Sequence, residues 1–271
     1  MCETTYALGH SSAEVQRLKN QGDMLRPITE RLLRSAGIDA GMRVLDLGCG
    51  AGDVSMLTAE LVGPAGFVVG IDRSQEVLNV ARKRAEEAGL RQISFVRASV
   101  EHFSVDEPFD LVIGRYILVH QPDPVALLRT AARLVRPGGA LAFHEVRMGS
   151  NTESFPYVPL WNLTTNLVRI ALKSSVPNYD GADRVAEHFS EAGLPYPKLF
   201  CEELVGGSAE SPLYGALAEL LQAVQPQLER MKITKAETIV TEGLESRLRD
   251  AVVAARGQIY GPAQVCAWAR L

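Results

Sequence analysis

Short apolar runs separated by longer amphipathic stretches dominate the first half of the chain. Val44 to Leu47, Phe67 to Ile71, Ile93 to Arg97, Leu111 to Gly114 and Ala140 to Glu145 are each too short for a helix and read as buried strands. Between them, Val54 to Val62, Gln75 to Ala88, a brief stretch near Glu101 to Phe103, and Val125 to Leu134 carry the helical stripe. Ahead of this block, Glu14 to Ser35 places Val15, Leu18, Leu25, Ile28 and Leu32 at helical spacing among charged residues. Pro27 predicts a division into two helices there, because proline removes a backbone donor and clashes with the preceding turn.

Strands that alternate with helices imply parallel crossovers, and so an α/β fold: a mostly parallel open sheet with helices on both faces. Turn residues support the division: Gly48, Gly50 and Gly52 after the first strand, Gly63-Pro64 before the second, and Pro137-Gly138-Gly139 before the fifth. After Val146 the alternation lapses. Phe155 to Trp161 is aromatic and proline-rich and runs into a helical stretch from Leu163 to Lys173. Asp183 to Ala192 reads as a helix and Lys198 to Val205 as a sixth strand. Leu213 to Met231 and Ile239 to Arg256 read as helices, and Gln264 to Arg270 as a seventh strand.

Composition narrows the function classes. With 271 residues, of which 46% are hydrophobic, the chain buries a full core. The formal charge of −4 disfavours a nucleic-acid partner, which needs clustered cations, and Arg82, Lys83 and Arg84 are followed by Glu86 and Glu87. Cys2, Cys49, Cys201 and Cys266 have neither disulfide nor metal-ligand spacing, so no metal is expected and a reducing cytoplasm is. Met1 to Ser12 lacks the charged and apolar regions of a signal peptide, and no run is apolar enough to span a membrane.

Val44-Leu-Asp-Leu-Gly-Cys-Gly-Ala-Gly-Asp53 puts three glycines at alternate positions where a strand turns into a helix, so backbone amides can approach a ligand closely. Val68-Val-Gly-Ile-Asp72 then ends the second strand in a carboxylate able to accept from both hydroxyls of a ribose. A dinucleotide fingerprint would need glycine where Asp53 stands. An adenosine-containing ligand other than a dinucleotide is therefore expected.

From Met42 to Val146 the sequence resembles the class I S-adenosylmethionine-dependent methyltransferases, whose hallmark is matched by Leu45-Asp-Leu-Gly-Cys-Gly-Ala-Gly52. The resemblance implies a Rossmann-like seven-stranded fold and S-adenosylmethionine as cofactor, with S-adenosylhomocysteine as product. It implies that Asp46, Gly48, Cys49, Gly50 and Gly52 surround the amino-acid end of the cofactor and that Asp72 takes the ribose. Arg73 would lie beside the adenine, Ser99 and Val100 would stand at the segment that reads its amino group, and Gly114 and Arg115 would pass the methionine end. Residues 1–41 would form an N-terminal helical extension over the cofactor, and residues 42–271 the methyltransferase domain, with substrate-cap insertions at about 150–180 and 208–257.

Methyl transfer needs alignment of donor and acceptor, exclusion of water and, for a protonated acceptor, a base. His120, after the fourth strand, His144, in the fifth, and Tyr6 are the catalytic candidates. Tyr6 and Gln21 could reach the transfer region from the N-terminal extension, while His10, His102 and His188 read as surface residues. Phe155 to Asn166 is the candidate lid, with Tyr157 and Trp161 offering flat apolar surface and Asn162 and Asn166 polar orientation. The function expected is methylation of N, O or C on a small molecule, such as an aromatic or amine-bearing natural product, by a monomer or homodimer. A cofactor-dependent cyclase or a non-catalytic cofactor-binding module on the same fold are the alternatives.

Overall fold

The computed structural model describes residues 12–233 and 241–271, with side chains from Arg17. Its seven-stranded sheet uses β1 (Arg43–Leu47), β2 (Phe67–Asp72), β3 (Ile93–Arg97), β4 (Phe109–Arg115), β5 (Val135–Val146), β7 (Lys198–Glu202) and β10 (Gln264–Arg270). Their order is β3-β2-β1-β4-β5-β10-β7. The first five strands pair in parallel, while β10 runs antiparallel to both β5 and β7. Chain order therefore reverses direction beside β1, between β2 and β4. In open sheets that switch point, at the carboxyl ends of the strands, is where ligands bind.

Side-chain alternation along the strands builds a core on each face. Val44, Val68, Leu111 and Ile113 turn toward α1 (Ser12–Ala36) and α2 (Asp53–Val62) and pack with Leu25, Ile28, Leu32, Leu33, Val54 and Leu57. Leu45, Leu47, Ile71, Val112 and Phe143 turn the other way, against Leu127 and Leu128 of α4 (Pro124–Arg133) and Val185 and Phe189 of α6 (Val185–Glu191). Leu32 and Leu33 are fully buried, each contributing about 1.5–3 kcal/mol relative to exposure. Caps set the remaining boundaries. Ser74 accepts from the Val77 amide at the start of α3 (Gln75–Glu87), and Asp123 accepts from the Ala126 amide ahead of Pro124 in α4.

A third core lies outside the sheet. Trp161, Leu167 and Val168 of α5 (Pro159–Ser175) pack with Tyr214, Leu217 and Leu221 of α7 (Leu213–Arg230) and Leu248 of α8 (Leu244–Ala254). Beside it runs a small antiparallel sheet of β6 (Ser154–Phe155), β9 (Gln258–Tyr260) and β8 (Val205–Gly206). This helical cap stands over the carboxyl edge of the main sheet.

Several local expectations are corrected. α1 is one helix through Pro27, because Leu25, Ile28, Leu32 and Leu33 must share one face on the sheet and that burial outweighs one missing backbone bond. β5 starts earlier than Ala140, since its bulged beginning pairs Val135 with Phe109. The strand expected to reach Val205 ends at Glu202, and Val205 joins the small sheet instead. The last helix begins at Leu244, after Gly243 in a left-handed conformation; Ile239 lies outside the described residues. His188 is buried, because Val185, His188 and Phe189 form the inner face of α6. Among the described residues, no helix is long and apolar enough to cross a membrane.

Candidate functional site

The carboxyl edge of the sheet and the cap enclose a cavity of about 900 Å³. Gly48, Cys49 and Gly50 after β1, Asp72 at the end of β2, Arg115 at the end of β4 and Val146 at the end of β5 all line it. Arg17, Leu18, Gln21 and Met24 of α1 form one side wall, and Trp161, Thr165, Val168, Arg169 and Leu172 of α5 another. Leu213, Ala216, Leu217, Glu219 and Leu220 of α7 complete the chamber. The volume is near the top of the range of roughly 300–1,000 Å³ for small-molecule sites.

Hydrogen bonds tie the first two strand ends together. The Gly50 amide donates to Asp72 Oδ2 at 3.0 Å, and the Ser74 amide donates to Oδ1 at 2.9 Å. The carboxylate is thereby fixed at the cavity wall. Gly50 has φ +52°, and a Cβ there would meet nothing within 4 Å, so the peptide presents an open cradle that a side chain would fill. Asp46, 1% exposed, accepts from Ser55 Oγ at 2.6 Å, and burial raises its pKa to about 7 despite that bond. Asp53, first residue of α2, pairs with Arg84 at 2.7 Å and with Arg115 at 3.9 Å.

Not every glycine of the sequence pattern faces this space. A Cβ on Gly52 would meet Ala81 and Phe95 at 3.1 Å, and one on Gly114 would meet Ile117 at 2.6 Å and Phe143 at 3.0 Å. Both permit close packing around the turn rather than forming the wall. Arg73 lines the mouth, held by Glu101 at 2.9 Å. Ser99 and Val100 line the same rim, and the Ser99 hydroxyl is engaged with His102 Nδ1 at 2.8 Å.

The catalytic candidates separate. His120 ends a short 3-10 turn, Leu118–His120, and lines the cavity. Burial, with the charge of Arg17, lowers its pKa to about 4, so it is neutral at physiological pH. His144 is fully buried and does not line the cavity. Its Nδ1 meets Thr29 Oγ1 and its Nε2 meets Gln264 Oε1, each at 3.0 Å, and burial lowers its pKa to about 3. Gln264 also accepts from the Tyr116 hydroxyl at 2.6 Å, so His144 is a core link between α1, β5 and β10 rather than a base. Tyr6 lies outside the described residues, as does His10.

Of the expected lid, Phe155 to Asn166, Trp161 and Thr165 reach the cavity wall. Trp161 is 2% exposed, lines the cavity, donates from Nε1 to the Thr152 carbonyl at 2.7 Å and meets Tyr214 edge-on. Tyr157 is 68% exposed and turned away, because it precedes the first turn of α5, whose inner face starts at Trp161. Asn162 is consumed locally: its amide donates to Ser154 Oγ and the Val158 carbonyl, and its oxygen accepts from the Ser154 amide. Asn166 is off the wall but accepts from the Arg169 guanidinium at 2.6 Å, steadying a wall residue.

Arg17, Arg169, Glu219 and Glu145 were not singled out in the sequence. Glu145, fully buried beside the wall, accepts from the amides of Ile117 at 3.0 Å, Leu118 at 2.9 Å and Val119 at 3.3 Å. It thus fixes the turn that carries His120. Its one readable signal was a carboxylate at the close of the apolar run Ala140 to Glu145, one residue before the fifth strand ends at Val146.

Comparison with known proteins places this geometry. Residues 38–188 match a family described as a methyltransferase domain. Demethylmenaquinone methyltransferase of Listeria monocytogenes serotype 4b (strain CLIP80459) is 31% identical over 209 residues, covering 70% of this chain and 83% of the relative. Aklanonic acid methyltransferase of Streptomyces sp. (strain C5) is 36% identical over 158 residues, covering 58% and 70%. A solved structure from Bacillus halodurans C-125 superposes with a TM-score of 0.59 at 21% identity, covering 89% of this chain and 97% of the other, which speaks to the fold.

Proposed function

The chain belongs to the methyltransferase-domain family, with the class I fold, and from that premise we propose that it transfers a methyl group from S-adenosylmethionine to a small molecule. The observation that carries this reading is the joined cavity: a cradle of Gly48, Gly50 and Asp72 at one end and a mainly apolar chamber under α5 and α7 at the other. Two relatives act, by name, on the small molecules demethylmenaquinone and aklanonic acid, which supports a small acceptor here.

The residues present fit the cofactor. The open cradle at Gly50 leaves room for close backbone approach, and the fixed Asp72 carboxylate retains acceptor capacity for ribose hydroxyls. Asp46, Gly48, Cys49 and Arg115 would surround the amino-acid end, and Arg73, Ser99 and Val100 the adenine. When bound, S-adenosylmethionine supplies an electrophilic methyl on a sulfonium. The protein's part is then to orient the acceptor and exclude water. α1 supports the reading of residues 1–41 as a cover, since it supplies Arg17, Leu18, Gln21 and Met24 to the wall. α5 and α7 likewise support substrate-cap insertions at about 150–180 and 208–257.

Of the two catalytic candidates among the described residues, His120 is the one that lines the cavity, and being neutral it can accept a hydrogen bond or proton from the acceptor. A pKa near 4 makes it a weak base, so orientation is its larger part. The test is incubation of purified protein with methyl-labelled S-adenosylmethionine and a panel of phenols, quinols and amines. Label in a small molecule, with S-adenosylhomocysteine formed in equal amount, is expected. Turnover without S-adenosylhomocysteine would instead indicate cyclisation, and no label in any panel member would overturn the proposal.

A further inference from the structure

β7 is the outer strand of the main sheet and, among the described residues, pairs with β10 alone. Nor does any backbone hydrogen bond join residues 198–202 to a described loop on the far side. Alternate peptides of β7 therefore aim their N–H and C=O groups away from β10, into open space. Apolar side chains gather at this edge: Tyr196 is 75% exposed, Leu199 is 42% exposed, and the free Cys201 is exposed as well. Charge is arranged symmetrically about the middle of the strand. Lys198 at one end is exposed, and Glu202 at the other accepts from Arg31 through Oε1 while its side chain stays 32% exposed. Lys198-Leu-Phe-Cys-Glu202 is thus its own complement when turned end for end.

We propose that β7 pairs with β7 of a second copy of this chain, antiparallel, about a two-fold axis through Phe200. Lys198 then lies opposite the partner's Glu202 on both sides of the axis, and Leu199 lies opposite the partner's Cys201. Strand alternation keeps the two sets on separate faces. Lys198, Phe200 and Glu202 share the side of α1, where Phe200 meets Arg31 and Trp268, and Leu199 and Cys201 share the other. Opposite charges and apolar pairs set directly across from one another stabilise an antiparallel pair. A register moved by two residues would set Glu203 against Leu199 and Glu202 against Phe200, and in-register parallel pairing would set Lys198 against itself. Lysine on an edge strand deters strangers, but here it meets a carboxylate on a second copy. A two-fold contact is closed, so it makes a dimer and no fibre. The axis is normal to the sheet, so the two cavities open in opposite directions and neither is covered.

Sedimentation of the full chain from micromolar to near-millimolar concentration should show a reversible monomer–dimer equilibrium. Lys198→Glu, which sets glutamate against the partner's Glu202 at both ends, should weaken the dimer by at least about tenfold, with the fold retained by circular dichroism. Leu199→Cys in a Cys2→Ser background reports the register. Opposite Cα atoms of an antiparallel pair lie about 4.5–5.5 Å apart, within disulfide reach, so air oxidation should link position 199 of one chain to Cys201 of the other. Cys2→Ser alone should give no covalent dimer, because the two Cys201 residues lie diagonally, about 7–8 Å apart. A monomer at every concentration would overturn the proposal, and slow amide exchange at residues 198–202 in that monomer would show that the chain's own residues cover the edge. A dimer indifferent to Lys198→Glu would place the interface elsewhere and overturn it too. So would a dimer that Leu199→Cys fails to link, or one linked through Cys201 without the introduced thiol, since the axis would not pass through Phe200. None of these results bears on the methyl-transfer reading.

Discussion

Glu145 shows how a single buried acid governs the position of another residue. Burial raises its pKa to about 8, against three backbone amides that favour the carboxylate. Its unfolded value is near 4.3. A raised carboxyl pKa means that the folded state binds a proton the unfolded state has lost, so stability falls as pH rises from the unfolded value through 8 and then levels off. Between pH 6.5 and 8.5 this group alone should cost on the order of 2 kcal/mol. Asp46, raised to about 7, adds in the same direction, whereas His120 and His144, held neutral by burial, act only below their unfolded value of about 6.5. Urea unfolding at the two pH values should show the decline in wild type and a smaller one in Glu145→Gln. That variant should also be less stable at pH 6.5 by about 1–3 kcal/mol, since its amide faces a backbone donor. An undiminished decline would contradict the assignment.

His120→Ala isolates a second single residue, one on the cavity wall. With a weak base whose larger part is orientation, kcat/KM should fall by about tenfold to a hundredfold, at or below the lower edge of general-base contributions. S-adenosylhomocysteine affinity, measured alongside, should hold; a loss of more than about 10⁴ in rate would make His120 an obligatory base instead. What the sequence could disclose at this scale depended on whether a residue's role is local. Asp72 and Gly50 are legible because a strand, a tight turn and a helix follow in order. Arg17 and Glu219 are not, because a charged residue on an amphipathic helix reads as solvated until the opposing helix is placed. Asn162 failed for a related reason: its partners are Ser154, in β6, and Val158, just ahead of α5, a fold-back invisible to a polarity pattern.

At the scale of elements, alternation of strands and helices was readable through β5, where each apolar run is bracketed by turn residues. Beyond Val146 it weakened. β6 and β8 have two residues each, too few for any period, and they exist because β9 pairs with both. Pro27 misled because proline's local penalty was weighed without the face of α1 that covers the sheet. That penalty is still present in the folded chain. Pro27 is exposed within α1, so Pro27→Ala restores a backbone donor without disturbing packing. It should raise stability by about 1–3 kcal/mol, the cost of proline in a helix interior less the entropy it removes from the unfolded chain. Thermal unfolding reads this directly, and a lower melting temperature would mean that the proline fits a bend the sheet requires.

Among the described residues, two large cores flank the sheet, a smaller one of Leu78, Ala81, Ala85 and Phe95 lies under α3, and another forms the cap, with the cavity beside them. The cradle half of that cavity was visible in the sequence because its parts fall within thirty residues of one another, from Val44 to Asp72. The chamber half was not, since α1, α5 and α7 are remote in sequence and meet only through the cap's packing. The proposed activity stands on the cradle holding S-adenosylmethionine. Gly50 tests it without touching the core: a side chain there strains a left-handed backbone by about 1–2 kcal/mol and projects into open space. Calorimetric titration with S-adenosylmethionine should give one site per chain in wild type and at least about a hundredfold weaker binding in Gly50→Val, from strain and filled cradle together, with the fold retained by circular dichroism. No binding to wild type, or equal binding by both proteins, would contradict the account.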